Sequence, residues 1–437
     1  MAQLPNIPKD KHLEDYVAAL LQQSGYFVEK SALERGETEV LELDIVATHY
    51  PNQVASRILI EVKSGDWGFS DIFKLLGWKT YLGPEKLDRA FFVASQVPTG
   101  TPIKFFKEKC KQLGITLVAV PDPETIEVEL MAAGLMSDPV THVDRSVWQF
   151  SFWMERATQR VVSNARKSAK GASGPGSIYQ YQELIKNGVV LTGDVRERLS
   201  LLYKAHFEHP ELSKDVANEM DHVLPTAKWP AGTHWREAFQ DCKHPLVQAA
   251  MYYQQKARLA ILKGAVDYAC QELNGSLPKE KTIKISGFDI PLTSLPSSFG
   301  ATVKAIKSLQ SFERIPQLWQ SFMWKWGAFF LVEKLEDEIA TLSNEAKMPL
   351  ESAKEALLLF DELFPMDSGW FTEVQGTKIL KLFPCTFRGI GAYLRLRRDG
   401  ADDYKIFASP KYPFLVDNLV RWKNAAVTLL DSYGAAT

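Results

Sequence analysis

The sequence predicts a mixed α/β sheet flanked by helices, followed by a mainly α-helical region. Up to about residue 122, short apolar runs that suit strands alternate with amphipathic segments that suit helices. After about residue 140, strand-like runs become rare and tryptophan becomes frequent. Hydrophobic residues make up 46% of the chain and charged residues 24%, which is typical of a globular protein.

The first predicted element is a helix over 10–24, because apolar residues recur there at helical spacing and Gly25 suits a helix end. Two strands, 26–33 and 40–47, follow as an antiparallel hairpin, and RILIEVKS (57–64) adds a third strand. The remaining predicted elements are a helix over 70–82 with Ser70 as its N-cap, a strand over 90–96, a helix over 103–114 and a strand over 115–122. Helices that link the last strands indicate parallel pairing.

The third strand carries two charged residues near its end, Glu61 and Lys63. Because side chains alternate between the two faces of a strand, these residues project from one face and Val62 from the other. One interpretation is an ion pair on a solvated sheet surface. The alternative is a functional site.

Asp44 lies in the preceding strand, where a carboxylate beside Ile45 and Val46 is costly to bury unless a cation meets it. If the two strands are neighbours and their ends align, Asp44 and Glu61 can share a divalent cation through the oxygen ligands that Mg²⁺ prefers. Lys63 would then stand beside the metal, able to orient or help deprotonate an attacking water. This combination suits phosphodiester hydrolysis, since a metal lowers the pKa of bound water and offsets charge on the phosphate.

These residues resemble the PD-(D/E)XK nuclease superfamily, and the layout is most similar to Mrr-type restriction endonucleases and archaeal Holliday-junction resolvases. The motifs that carry the resemblance are Glu14 before Gly25-Tyr26, Asp44-Ile45-Val46-Ala47, and Glu61-Val62-Lys63-Ser64. The resemblance covers about residues 8–122. Leu43 stands where the family pattern names a proline.

The resemblance implies a restriction-endonuclease-like fold in which Asp44 and Glu61 bind the metal, Lys63 assists catalysis, and Glu14 is a further ligand or a water organiser. It implies Mg²⁺ as the cofactor, replaceable by Mn²⁺, and an endonuclease acting on DNA, with RNA as an alternative substrate. A role in prokaryotic restriction or antiphage defence follows by analogy. The rival interpretation is a protein that keeps this fold for nucleic-acid contact or assembly without cleavage.

Several other residues have two interpretations. Trp67, Trp78 and Lys79 flank the motif and could stack on a base or touch a phosphate, although core packing is favoured for Trp78. Glu42 shares a strand face with Asp44, and a solvated edge is favoured for it and for Glu39. His206 and His209 have a loose metal-like spacing without partners that complete a tetrahedral set, which favours surface positions.

The predicted domains are a nuclease-like domain over 1–140, a basic helix and flexible linker over 141–177, and a helical recognition or regulatory region over 178–437. Basic residues crowd the second segment, and either phosphate binding or a solvated linker accounts for them: Arg156, Arg160, Arg166, Lys167 and Lys170. Helices are predicted near 194–208, 210–224, 244–274, 299–312, 316–345, 349–364 and 412–433, with a hairpin around Asp399-Gly400. The helical region is expected to serve recognition or regulation, and the sequence leaves open a partner protein, a second copy of the chain, a nucleic acid or a small signal as its ligand.

Composition narrows the function classes. The formal net charge is −2, so a surface that binds nucleic acid must be a local patch. The four cysteines lie far apart, which argues against a zinc ribbon or a disulfide framework and favours a cytoplasmic protein. The longest apolar stretch, 322–332, is too short to span a bilayer, so no membrane role is expected.

Overall fold

The structure is a computed structural model, and its described residues form two compact units, one within 11–152 and one within 155–363. The described residues are 11–35, 40–84, 87–98, 100, 102–122, 125–139, 148, 151–152, 155–156, 159, 195–203, 245–277, 283–285, 288–290, 298–326 and 335–363.

The first unit is built on a five-stranded mixed sheet whose strands lie in chain order. The strands are Phe27–Arg35 (β1), Val40–His49 (β2), Ser56–Lys63 (β3), Arg89–Ala94 (β4) and Ile115–Ala119 (β5). The first three are antiparallel neighbours, whereas β3, β4 and β5 run parallel. The predicted hairpin, third strand and parallel pairing are therefore confirmed.

Four helices pack around this sheet, namely Lys11–Gln23 (α1), Phe69–Leu82 (α2), Ile103–Gln112 (α3) and Ile126–Ala132 (α4). The first contacts β1, β2 and β3, the second contacts β4, and the last two contact β5. The helices predicted over 10–24, 70–82 and 103–114 are therefore confirmed as α1, α2 and α3, whereas α4 was not predicted. The mixed sheet with flanking helices and the helical region that follows it are both observed.

The start of α2 differs from the prediction, because the N-cap is Gly68 and Ser70 lies inside the first turn. The carboxylate of Asp71 accepts a hydrogen bond from the Gly68 amide at 3.0 Å. An acidic side chain three positions after the cap can accept from the N-cap amide, which is one half of a capping box.

The core of the first unit lies between one face of the sheet and helices α2 and α3. Trp67 and Trp78 both belong to it, and the Trp67 Nε1 atom donates a hydrogen bond to the Gln96 carbonyl at 2.7 Å. Lys79 donates to the carbonyl of Gly114 at 2.7 Å. The core position of Trp78 is confirmed, and all three residues flagged as base or phosphate contacts are engaged within the fold.

The second unit is mainly helical. Its elements are Val195–Tyr203 (α5), Pro245–Leu273 (α6), the hairpin Ile283–Ile285 (β6) and Phe288–Ile290 (β7), Ser298–Ser308 (α7), Ile315–Gln320 (α8), a π-helical segment Ser321–Lys325, Leu335–Ala346 (α9) and Leu350–Leu363 (α10). The hairpin was not predicted, and the helix predicted over 316–345 contains a π-helical segment after α8. None of the described helices is long and apolar enough to cross a membrane.

The aromatic side chains of Trp319, Phe322, Trp324 and Trp326 are buried. The Trp319 ring stacks on Phe360 with 3.9 Å between ring centroids, and its Nε1 atom donates to the Ala356 carbonyl at 3.1 Å. Some predictions lie outside the described residues: the helices 210–224 and 412–433, the hairpin at Asp399-Gly400, Glu39, His206, His209, Arg160, Arg166, Lys167 and Lys170.

Helix α1 is joined to β1 by an ion pair between Lys30 and Asp15, both of which are buried. Removing one partner of a buried pair leaves the other charge poorly compensated, which typically costs about 3–5 kcal/mol. We therefore expect Lys30→Met to lower the free energy of unfolding by roughly that amount.

The double variant Lys30→Met/Asp15→Leu should regain most of this stability, because it removes the stranded carboxylate. Chemical denaturation of the parent, the single variant and the double variant measures the difference. Equal stability of the two variants would show that the buried charge of Asp15 does not matter.

Candidate functional site

The candidate site lies where β2 and β3 separate. Their backbone ladder runs from His49 opposite Ser56 to Ile45 opposite Ile60. One step further in this register, Asp44 would face Glu61. There the Asp44 side chain replaces the backbone, since its Oδ2 atom accepts a hydrogen bond from the Val62 amide at 3.0 Å.

The structure confirms that the strands of Asp44 and Glu61 are neighbours, but Asp44 lies in the middle of β2 and not near its end. The strands are antiparallel, so the end of β3 meets the interior of the longer β2. On the other side of β2, the ladder with β1 skips Ser31, whose φ of 49° lies in the left-handed region. The sheet is therefore irregular on both sides of Asp44.

Glu61 and Lys63 project from the same face of β3, as predicted. The Lys63 Nζ atom lies 3.0 Å from Glu61 Oε1 and 3.8 Å from Asp71 Oδ1. Glu61 is only 2% exposed, whereas the side chain of Lys63 is 30% exposed. Because Glu61 is buried, a solvated ion pair on the sheet surface does not describe this arrangement.

Glu14, in the first turn of α1, is linked to Asp44 through Lys11. The Lys11 Nζ atom lies 2.8 Å from Glu14 Oε1 and 4.0 Å from Asp44 Oδ1. Glu14 is buried, and Lys30 lies 4.0 Å from its second oxygen. All four predicted residues, Glu14, Asp44, Glu61 and Lys63, are thus connected in one network, with Glu42 exposed at its edge.

Sequence reasoning missed the lysines that complete this network. Lys74 of α2 lies 3.8 Å from Glu61 Oε1, and its Nζ atom is 4.2 Å from the centroid of the Trp78 ring. The spacing of three between Lys11 and Glu14, and of four between Lys74 and Trp78, was a usable signal, because residues at these spacings are neighbours on a helix.

The carboxyl groups of the site perturb one another. Burial, and then the negative charge of Asp44, raise the pKa of Glu61 to about 7 against the opposing hydrogen bond from Lys63. The same two causes raise the pKa of Glu14. Burial lowers the pKa of Lys63, but the hydrogen bond and charge of Glu61 outweigh it and the pKa is raised. Glu14 and Glu61 therefore hold their protons more tightly than usual, and Lys63 stays protonated.

Two oxygens of the site are buried without a hydrogen-bond partner, Oε2 of Glu61 and Oε2 of Glu14. Such oxygens favour a bound cation, and hard oxygen donors suit Mg²⁺. Within the described part of the chain, no three His, Cys, Asp or Glu side chains are arranged to hold one metal ion. The site thus offers the pair Asp44 and Glu61, whereas Glu14 is not brought into one ligand set with them.

A pair of carboxylates fits Mg²⁺, because this ion keeps several waters and is usually bound through one or two carboxylates plus substrate phosphates. Lys11 contacts both Glu14 and Asp44, so its ammonium group already bridges these two carboxylates. The predicted role of Glu14 as a water organiser is compatible with this position.

No family model matches the chain, and no curated protein matches it. Among solved structures, the crystal structure of a protein of unknown function, AF1548, aligns with 49% of this chain and 99% of that chain at 15% sequence identity, with a TM-score of 0.23. A likeness at this level carries no inference, so the function has to be inferred from the site itself.

The raised pKa of Glu61 predicts a pH dependence of stability in the absence of metal. The folded state binds this proton more tightly than the unfolded state, so the stabilisation is complete below pH 4.5 and is lost as the pH rises through about 7. Glu61→Gln should not show this loss, and its stability relative to the parent should increase across that interval.

Chemical denaturation in EDTA at a series of pH values provides the test. Glu14 titrates in both proteins, so its contribution largely cancels in the comparison. A parent and a Glu61→Gln variant whose stabilities change in parallel would contradict the pKa shift.

Proposed function

We propose that the protein is a metal-dependent nuclease that hydrolyses phosphodiester bonds, with Asp44 and Glu61 as ligands of Mg²⁺ and Lys63 as the cation that orients the reacting phosphate. One observation carries the proposal. Two buried carboxylates on the neighbouring strands β2 and β3 interact electrostatically where these strands separate, and a protonated lysine lies on the same strand as Glu61. Mn²⁺ is expected to replace Mg²⁺.

The order of elements supports a restriction-endonuclease-like fold for the first unit. Helix α1 precedes the antiparallel strands β1, β2 and β3, and the parallel strands β4 and β5 follow through α2 and α3. In this arrangement the carboxylates come from β2 and β3, and α1 brings Glu14 to them. The resemblance of the motifs implies the same placement of these residues.

Each residue has a chemical task that follows from its contacts. Bound Mg²⁺ would supply a water of lowered pKa and offset negative charge on the phosphate. Asp44 is oriented by the Val62 amide at Oδ2, so its Oδ1 atom, which Lys11 approaches to 4.0 Å, would bind a cation. Glu61 has to be ionised to bind a metal, and its raised pKa places this requirement near neutral pH.

Lys63 is suited to hold a phosphate oxygen, because it is partly exposed and carries its proton. The raised pKa argues against deprotonation of the attacking water by Lys63 and leaves orientation of that water, the other role predicted from the sequence. Lys74 and Lys11 add positive charge on either side of the carboxylate pair. Glu14 keeps Lys11 in place and can organise a water beside Asp44.

We propose DNA as the substrate, with RNA as the alternative, and a cytoplasmic role in prokaryotic restriction or antiphage defence. These assignments are supported by the resemblance of the motifs alone. We further propose that the helical unit has a recognition or regulatory role, and that it performs this role by binding a partner protein or a second copy of the chain.

Digestion of labelled DNA and RNA side by side with Mg²⁺ tests the activity. We expect the parent to cleave, and Asp44→Asn and Glu61→Gln to lose cleavage while keeping their fold and nucleic-acid binding. Both substitutions preserve side-chain size and remove the charge that the metal needs. Full cleavage by Asp44→Asn would refute the site, and no cleavage of either substrate by the parent would refute the activity.

Substitution of Lys63 separates catalysis from structure. Lys63→Met and Lys63→Arg should cleave at least about tenfold more slowly in single-turnover reactions, a rise of about 1.4 kcal/mol in the barrier. Methionine lacks the charge, and the planar head of arginine does not reproduce a compact ammonium.

The matched control is Lys304→Met, which removes an exposed lysine from α7 of the second unit. It should cleave like the parent. If Lys63→Met also cleaved like the parent, Lys63 would be a structural partner of Glu61 and nothing more.

A further inference from the structure

The outer surfaces of α2 and α3 carry exposed aromatic rings. Phe73 is 56% exposed and Phe105 is 42% exposed. The ring of Phe69 lies between them, with centroid distances of 5.8 Å to Phe73 and 6.0 Å to Phe105. We call these three residues the aromatic platform. Contiguous exposed apolar surface on a folded protein usually marks an interaction site.

The platform is held by the packing of α2 and α3 below it. Helix α2 turns Ile72, Leu75 and Trp78 toward the core, which leaves Phe73 on the outer side. Phe69 also contacts the buried Phe106, at 4.9 Å between centroids, so the platform is anchored to the core. Rings held in this way lose little conformational freedom when a flat partner stacks on them.

Open space adjoins the platform at Gly77, one turn after Phe73 on α2. A Cβ atom added at Gly77 would meet no atom within 4 Å. Tyr81, a further turn along, is 59% exposed. Because residues spaced by four share one helix face, Phe73, Gly77 and Tyr81 leave an unobstructed strip along the outer side of α2.

Positive charge surrounds the platform. Helices α2 and α3 together contain six lysines and two acidic residues, whereas the whole chain has a net charge of −2. The Nζ atom of Lys109 lies 5.8 Å from the centroid of the Phe105 ring. Exposed rings among lysines fit a ligand that combines planar groups with negative charge, as unpaired nucleotides do.

Helix α2 also borders the candidate site. Lys74, next to Phe73 in the chain, lies 3.8 Å from Glu61 Oε1, and Asp71 lies 3.8 Å from Lys63 Nζ. A nucleic-acid strand that leaves the site past Lys74 would therefore reach the outer side of α2.

We propose that the aromatic platform binds unpaired nucleotides of single-stranded DNA or RNA, with bases stacked on Phe73 and Phe105 and phosphates bound by the lysines of α3. The position of these nucleotides beside the cleaved bond rests on the proposed nuclease function, whereas the binding does not. A protein partner fits the surface less well, because lysine is depleted from the centres of protein interfaces.

The test is fluorescence anisotropy with the full-length Asp44→Asn protein in EDTA, which separates binding from cleavage. The probes are oligo(dT) and oligo(U) of about 16 nucleotides and a DNA duplex of the same length. Phe73→Ala should bind each single strand at least about fivefold more weakly, since it removes one stacking surface. Phe73→Tyr keeps the ring and should bind like its parent.

Two comparisons control for indirect effects. Val128→Ala removes a side chain that is 59% exposed on α4, and it should leave binding unchanged. Duplex affinity should respond little to Phe73→Ala, because stacked base pairs present no free faces. A larger loss of affinity for oligo(dT) than for oligo(U), or the reverse, would show which of the two strands the platform prefers.

Two results would overturn the proposal. One is equal single-strand affinity of Phe73→Ala and its parent. The other is a concentration-dependent dimer in sedimentation that Phe73→Ala disrupts, because a second copy would then cover the platform. If the wild-type chain cleaves but single-strand binding does not depend on Phe73, the platform proposal is refuted and the nuclease proposal is not. If binding depends on Phe73 but no cleavage is found, the nuclease proposal is refuted and the platform proposal is not.

Discussion

The juxtaposition of the carboxylates of Asp44 and Glu61 is the constraint on which the rest of the candidate site depends. The hydrogen bond from the Val62 amide fixes Asp44 at the point where β2 and β3 separate. Both groups are largely buried, and burial of like charges is unfavourable unless cations compensate it. A sheet that required only stability would be better served by apolar residues there.

The lysines around the site compensate this charge only in part. Lys11, Lys63 and Lys74 each contact one of the carboxylates, yet the pKa of Glu61 is still raised to about 7. Near neutral pH, Glu61 is therefore close to the midpoint of its titration, where the proposed metal ion would compete with a proton. A divalent ion would offset both causes of the raised pKa, burial and the charge of Asp44, so metal binding would be coupled to ionisation of the site.

Much of this site was predictable from strand alternation alone. Alternation places Glu61 and Lys63 on one face, and the buried position of Asp44 indicated a cationic partner. The lysines of α1 and α2 were not predictable in the same way, because helix packing brings them to the sheet. The left-handed conformation of Ser31 was also hidden, since a serine gives no signal for it.

The burial of individual aromatic residues was also not predictable from the sequence. Many aromatic residues lie in and around α2 and α3, and periodicity did not determine which would be buried. Trp67 and Trp78, for which base stacking was one interpretation, belong to the core, whereas Phe73 and Phe105, for which nothing was predicted, are exposed. The unpredicted hairpin of the second unit, by contrast, had a signal in Ser286-Gly287 between two alternating runs.

Metal binding by the intact chain tests the central claim most directly. Electron paramagnetic resonance with Mn²⁺ counts bound ions without any substrate, so it does not depend on the choice of DNA or RNA. The site predicts one bound ion per chain near neutral pH, lost in Asp44→Asn and in Glu61→Gln, and retained in Glu42→Gln, where the carboxylate is exposed at the edge of the network. Unchanged Mn²⁺ binding in both Asp44→Asn and Glu61→Gln would contradict the account.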